Sequence, residues 1–332
     1  MPRRLPVATY IEGIRAGDRA VLSRAITVVE STLESDRSLT VEILNGLPRW
    51  TASSFRLGIT GVPGVGKSTF IDRFGMHVLE RGHRVAVLAV DPSSSLTRGS
   101  ILGDKTRMED LVRAPEAFVR PSPARGSLGG VTRSTREAIL LCEAAGYDFI
   151  VVETVGVGQS EIAVHSMVDF FLLLMLAGAG DELQGIKKGI MEMADGIAIN
   201  KADGDNQIRA REARTEYQKA LHLFPPSKSG WQAQVVTCSG LKGEGIPELY
   251  AMLMDYRERM RGNEWGASKR QRQALQWMHE TVRSSIEARF YADTRVKAEL
   301  PAMEARVVAG EIAPTLAAND LIRLYLQREK KD

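Results

Sequence analysis

Cysteine is scarce. Two residues in 332, Cys142 and Cys238, cannot build a disulfide framework, and no C-x-x-C pair or histidine-rich tract offers a metal site. Long apolar runs are missing too: the longest, residues 170–177, falls well short of the roughly 20 residues that a bilayer-spanning helix needs. Charge of one sign is also lacking. A net charge of +3 is too near neutral to argue for nucleic acid or a membrane surface as partner. The opening Met-Pro-Arg-Arg-Leu-Pro is basic, but no apolar stretch of a signal peptide follows it, and Glu12 and Asp18 come soon after. The expectation is a cytoplasmic protein with no membrane and no nucleic-acid partner. What is present is ordinary for a globular chain: 44% hydrophobic and 26% charged residues, enough for one large or two modest domains.

Against that background one stretch stands out: Gly61-Val62-Pro63-Gly64-Val65-Gly66-Lys67-Ser68-Thr69 fits the phosphate-binding pattern G-x-x-x-x-G-K-[ST]. Residues 55–60 lead in as an apolar strand, and residues 70–81 lead out as a helix. The glycines let the backbone curl its N–H groups toward a polyphosphate. Lys67 reaches the outer phosphates, and the Ser68 hydroxyl is placed to ligate Mg²⁺. The helix N-terminus adds partial positive charge to the same cradle. A glycine-rich turn matching by chance would not need that strand before it and that helix after it.

The pattern around this loop alternates. Strands are expected at 55–60, 84–90, 117–120, 148–153, 170–176, 196–200 and 234–238, with helices at 68–81, 132–145, 159–167, 185–194, 206–222 and 246–260. Near-continuous apolar strands alternating with helices predict an α/β fold, a mostly parallel sheet covered on both faces, with ligands at the carboxyl ends of the strands. Residues 1–46 read as helices with Asp18 as a cap, serving either as a partner contact or as packing on their own domain. Residues 262–332 read as a helical extension, with helices at 266–291 and 313–328 and residues 301–309 between them. The division expected is therefore 1–46, 47–261 and 262–332, the last a dimerisation arm or a self-packed unit.

Several polar motifs fall at strand ends. Asp91 closes 84–90, expected as the strand beside the P-loop, and is either a Mg²⁺ contact or an Asp-Pro turn. Residues 96–108 form a long polar loop in which Asp104, Lys105 and Arg107 are candidate metal or phosphate contacts, or else a solvated cluster. Glu153 closes 148–153 in the position that holds Mg²⁺ or its water shell, and Gly156, three residues on, offers an N–H to the γ-phosphate. Gln159 lies further along than a water-orienting glutamine usually does. Asn200-Lys201-Ala202-Asp203 follows an apolar strand and fits a guanine reader: the Asp203 carboxylate accepts from the ring N–H and exocyclic amine that adenine lacks. The Lys201 stem lies along the purine, and Asn200 ties the loop to the P-loop region. By itself the tetrapeptide could equally be a helix cap. Ser239-Gly240-Leu241, after Cys238, sits where a backbone N–H would meet the guanine carbonyl.

With these motifs, and with Gly178-Ala179-Gly180-Asp181-Glu182-Leu183-Gln184-Gly185-Ile186-Lys187-Lys188-Gly189-Ile190, the chain closely resembles the MeaB/ArgK family of methylmalonyl-CoA mutase-associated GTPases. The likeness runs over about residues 10–260. It implies a P-loop GTPase, homodimeric, acting as a G-protein chaperone of adenosylcobalamin-dependent methylmalonyl-CoA mutase or a related acyl-CoA mutase. Such proteins gate cofactor loading and protect the mutase, hydrolysing GTP slowly alone and faster with it. The resemblance carries Lys67, Ser68, Asp91, Asp104 and Glu153 over as phosphate or Mg²⁺ contacts, and makes 91–108, 154–166 and 177–189 the switches. Lys67, Glu153 and Gly156 are then the catalytic set for in-line attack of water on the γ-phosphate of GTP, with GDP as product. Two other classes compete. A P-loop kinase gains nothing from a guanine reader, and a nickel-inserting metallochaperone GTPase would want a clustered metal site that five scattered histidines do not supply.

Overall fold

The apolar runs pair into one parallel sheet because the central ones are buried on both faces and a helix carries the chain back between strands. In a computed structural model the described residues are 4–48, 54–90, 108–121, 128–154, 160–178, 184–225, 227 and 229–327. Among them the strands are β1 Phe55–Gly61, β2 Val85–Val90, β3 Ala117–Arg120, β4 Phe149–Thr154, β5 Phe170–Leu176, β6 Gly196–Asn200 and β7 Gln234–Thr237. They lie in the order β3-β2-β4-β1-β5-β6-β7. All six pairings are parallel. The fold is that of a P-loop NTPase, with additional N- and C-terminal helices. One expectation needs correcting: β2 does not lie beside the P-loop strand. β4, which carries Glu153, stands between them.

Alternation along the strands sorts the core into two layers. Phe149 and Val151 join Leu57, Ile59, Phe70, Phe74 and Tyr256 on one face, under α4 (Lys67–Leu79) and the later helix α10 (Ile246–Arg261). Ile150 and Val152 face the other way, with Phe171 and the apolar stripe of α1 (Val7–Arg15), α2 (Arg19–Val29), α3 (Glu34–Gly46) and α6 (Leu128–Ala144). The N-terminal helices thus pack on their own domain. Asp18 caps α2 through the amides of Ala20 and Val21, at 2.8 and 3.1 Å. The remaining helices before α10 are α5 (Glu109–Arg113), α7 (Ser160–His165), α8 (Gln184–Met193) and α9 (Gln207–Leu221).

The chain divides into two compact units, residues 1–273 and 274–332, with the boundary inside α11 (Glu264–Ala292). The second unit holds the end of α11, α12 (Thr294–Val308) and α13 (Pro314–Leu326), packed around Met303, Ala317 and Leu321. α12 begins well before the expected 301–309, because the Asp293 side chain accepts from the amides of Arg295 and Val296 and starts the helix there. Pro301 sits inside it rather than at its start. Among the described residues no helix is long and apolar enough to cross a membrane.

Candidate functional site

β1 ends at Gly61 in mid-sheet, and α4 starts at Lys67. The connecting loop turns twice through left-handed backbone, at Gly64 (φ 75°) and Gly66 (φ 87°), which only glycine adopts cheaply. Gly61 is needed for another reason: a side chain there would sit 2.6 Å from the carbonyl oxygen of Leu174 on β5. Lys67 folds back across the loop, its Nζ donating to the Gly61 carbonyl at 3.0 Å. Ser68, buried in the first turn of α4, and Thr69, exposed, complete the segment. Val62 is half-buried, Pro63 exposed and Val65 buried. The backbone arrangement is a helix N-terminus below a glycine-rich curl, which favours a bound anion.

Beside it stands Glu153, only 4% exposed, level with Ile59 of β1 and Ala89 of β2. The next residue, Thr154, donates its hydroxyl to that of Thr60 at 2.9 Å, joining the tips of β4 and β1. Ser68 and Glu153 therefore place a hydroxyl and a carboxylate, both hard oxygen donors, on the two segments that end at this corner.

The second half of the site is built on β6. Asn200 is 2% exposed and crosslinks three segments. Its Nδ2 donates to the Val65 carbonyl at 2.8 Å, and its Oδ1 accepts from the Gly240 amide at 3.0 Å and from the Cys238 thiol at 3.7 Å. Burial pushes that thiol up to about 12, so it stays a neutral donor. Gly66 must remain small here, since a Cβ would meet Asn200 Nδ2 at 3.3 Å and Lys201 Cε at 3.8 Å. Lys201 has φ 58° and is the one non-glycine residue with positive φ among the described residues. Such strain is held at functional sites at a cost of order 1–3 kcal/mol. Asp203 accepts a short hydrogen bond from the Ser239 hydroxyl, which itself takes the Lys242 amide at 2.9 Å. The residue 239–241 turn is also anchored through Ser239 N to the Glu244 carbonyl at 2.8 Å.

A family model described as "Methylmalonyl Co-A mutase-associated GTPase MeaB" matches residues 22–295. This chain belongs to that family. A probable GTPase of Mycobacterium tuberculosis H37Rv is 50% identical over 311 residues, covering 94% of this chain and 93% of that protein. The mitochondrial methylmalonic aciduria type A homolog of Mus musculus is 44% identical over 326 residues, covering 95% of this chain and 79% of its own. A crystal structure described as LAO/AO transport system kinase is 36% identical with a TM-score of 0.75, covering 98% of this chain and 99% of that one. The chain is a P-loop GTPase and a guanine-nucleotide-binding protein.

For this GTPase the structure brings the Gly61 to Thr69 loop, Glu153, Asn200, Lys201, Asp203, Ser239 and Gly240 to the carboxyl ends of β1, β4, β6 and β7. Leu241 is there as well, 65% exposed. Asp91, Asp104, Gly156 and Gln159 lie outside the described residues. Two features escaped the sequence reading. The Ser239 hydroxyl holds Asp203, whereas the motif suggested only a backbone role for that turn. The Cys238 thiol supports Asn200. A hydroxyl and a thiol at a strand end carry no periodic signal, so nothing short of the fold reveals their partners.

Proposed function

We propose that this GTPase serves an adenosylcobalamin-dependent methylmalonyl-CoA mutase, or a related acyl-CoA mutase, as a G-protein chaperone that gates cofactor loading and protects the enzyme. The observation that carries the reading is the family match over residues 22–295, supported by the 44% identical methylmalonic aciduria type A homolog. Within the site, the P-loop amides and Lys67 neutralise the phosphates, and Asp203, held by Ser239, reads the guanine edge. The amides of Ser239 and Gly240 are already engaged within the protein, which gives the guanine carbonyl to Leu241.

Ser68 and Glu153 fit Mg²⁺, being oxygen donors at the phosphate end of the pocket, and Asp91 and Asp104 are assigned to the same ion from sequence. Held by these residues, Mg²⁺ would supply charge neutralisation at the phosphates. Gly156 is assigned an N–H to the γ-phosphate. No side chain among those described is an obvious general base, so the partner's role is to stabilise a competent arrangement of the loops 91–108, 154–166 and 177–189.

We further infer a homodimer formed through residues 262–332. Leu275, Met278, Val282 and Ile286, each at least 50% exposed, recur at helical spacing along α11 and form one apolar face. The 36% identical structure, described as a kinase, suggests the second reading, phosphoryl transfer to another protein. The guanine reader at Asn200 to Asp203 favours the first.

The test is reconstitution with the mutase of the same organism. Size-exclusion chromatography with GDP, with a non-hydrolysable GTP analogue and without nucleotide should give a complex whose amount depends on the nucleotide. No complex under any of the three conditions would refute the reading.

A further inference from the structure

The pairing of β1 with β4 stops at the floor of the nucleotide site. Its last partners are Ile59 and Glu153. Beyond them the tip of β1 pairs with β5, Gly61 opposite Leu174, while the tip of β4 pairs with β2, Thr154 opposite Val90. Each tip is thus held by its outer neighbour, and a gap opens between the two. A side-chain contact spans it. The Thr154 hydroxyl donates to the Thr60 hydroxyl at 2.9 Å, and neither residue has any exposure to solvent.

The contact lies on the far face of the sheet from the phosphates. Leu57 and Ile59 of β1 and Phe149 and Val151 of β4 pack under α4, so by alternation Glu153 faces that way too. Thr60 and Thr154 point with Ile150 and Val152 to the opposite face. There α7 and the residues after it close over β1: a side chain at Gly58 would meet Val164 at 3.0 Å and Val168 at 2.9 Å. Neither hydroxyl faces the phosphate loop, yet each sits next to a residue that serves it. Thr60 precedes Gly61, whose carbonyl accepts from Lys67 Nζ at 3.0 Å, and Thr154 follows Glu153.

We propose that Thr60 and Thr154 are a positioning pair for GTP hydrolysis. Their hydrogen bond sets the separation of the β1 and β4 tips, and through it the distance from the Glu153 carboxylate to the phosphate loop and Ser68. The proposal rests on the reading that Ser68 and Glu153 hold Mg²⁺. A hydrogen bond suits this task because it draws two oxygens to 2.9 Å, whereas two methyl groups pack at about 3.5–4.0 Å. Exchanging both hydroxyls for methyls therefore spreads the tips by up to about 1 Å. Mg²⁺ demands near-ideal octahedral geometry with ligands at about 2.0–2.1 Å, and a misplacement of about 1 Å can cost about 100-fold in rate. An apolar pair would hold the sheet together as well, so the two hydroxyls serve spacing rather than stability.

The experiment compares the full-length wild type with Thr60→Val/Thr154→Val, which removes both partners together and leaves no buried hydroxyl unpaired. Three quantities are measured: affinity for a non-hydrolysable GTP analogue in EDTA, Mn²⁺ affinity of that complex by electron paramagnetic resonance, and the single-turnover rate with GTP and Mg²⁺. Metal-free nucleotide affinity should stay at the wild-type level, because the loop glycines and Asp203 are untouched. Mn²⁺ affinity should fall at least about fivefold and the rate at least about tenfold. Thr154→Ser keeps the hydroxyl and should retain wild-type Mn²⁺ affinity. Unchanged Mn²⁺ affinity in the double variant, or an equal loss in Thr154→Ser, would overturn the proposal. Glu153→Gln separates this idea from the reading beneath it. If Glu153→Gln leaves Mn²⁺ affinity intact, the metal assignment fails and the positioning pair with it; if it weakens Mn²⁺ and the double variant does not, the positioning pair alone fails. Should the double variant lose nucleotide binding in EDTA, Thr154→Val decides on the same three measurements.

Discussion

Asp169 and Arg270, 101 residues apart, meet in a two-bonded ion pair, Nε to Oδ1 at 2.8 Å and Nη2 to Oδ2 at 2.5 Å. The same carboxylate accepts the Arg56 amide at 2.9 Å, and Arg270 also donates to the Ser54 carbonyl at 2.6 Å. The pair thereby pins the first turns of α11 to the starts of β1 and β5. Burial alone would raise the Asp169 carboxyl, but the hydrogen bonds and charge of Arg270, with help from Arg56, hold it below its ordinary 3.8.

Arg270→Met leaves a largely buried carboxylate without its main partner and should destabilise the fold by about 2–4 kcal/mol at neutral pH. The sign with pH follows from the depressed value. The stabilisation is fully present above the ordinary carboxylate range and is lost as pH falls through the lower folded value. Urea denaturation of wild type and variant at neutral pH and at steps below about pH 4 should therefore show two curves converging on the acid side. A difference that does not change with pH would contradict the assignment.

Asp203→Asn replaces the acceptor for two guanine donors with a mixed amide. GTP affinity should fall by at least about tenfold, since hydrogen bonds to a charged group contribute about 1.5–3 kcal/mol each. Xanthosine triphosphate, with a carbonyl where guanine has its amine, should gain affinity in the variant. Competition titrations with the two nucleotides read both changes at once, and loss of both would point to misfolding rather than altered reading.

Ser239→Ala removes the donor to Asp203 and the acceptor for the Lys242 amide, in a residue with no exposure to solvent. A stability loss of about 1–2 kcal/mol and a several-fold weaker GTP affinity are expected, from denaturation and calorimetry respectively. An unchanged GTP affinity would mean that Asp203 keeps its position without this hydroxyl.

Met278→Glu with Ile286→Glu places two charges on the exposed apolar face of α11 and should convert the proposed dimer to monomer in light scattering. Neither side chain is buried in the chain itself, so thermal stability of the nucleotide-bound protein should change little. A wild-type monomer would remove the homodimer from the account.

The strands were legible because β5 is an unbroken apolar run and β4 and β6 are apolar runs closed by Glu153-Thr154 and Asn200, a pattern no amphipathic helix imitates. The lateral order of the strands was not. Nothing local in 84–90 or 148–153 says which lies beside β1, and β4 takes that place. Residues 301–309 were the stretch expected between two helices, whereas Asp293 sets the start of α12. In the site, the phosphate loop and the Asn200 to Asp203 segment carry their chemistry in contiguous residues and could be read directly. The Ser239–Asp203 and Asp169–Arg270 contacts join residues 36 and 101 positions apart through the fold, and no periodicity reports them.

Nucleotide turnover is proposed to be coupled to a cobalamin-dependent mutase. The most direct measurement is the single-turnover rate of GTP hydrolysis with and without the purified mutase of the same organism, using Lys67→Ala as the inactive control. The rate should be slow for the GTPase alone and rise at least about tenfold with the mutase, with no rise in Lys67→Ala. A wild-type rate unaffected by saturating mutase would contradict the account.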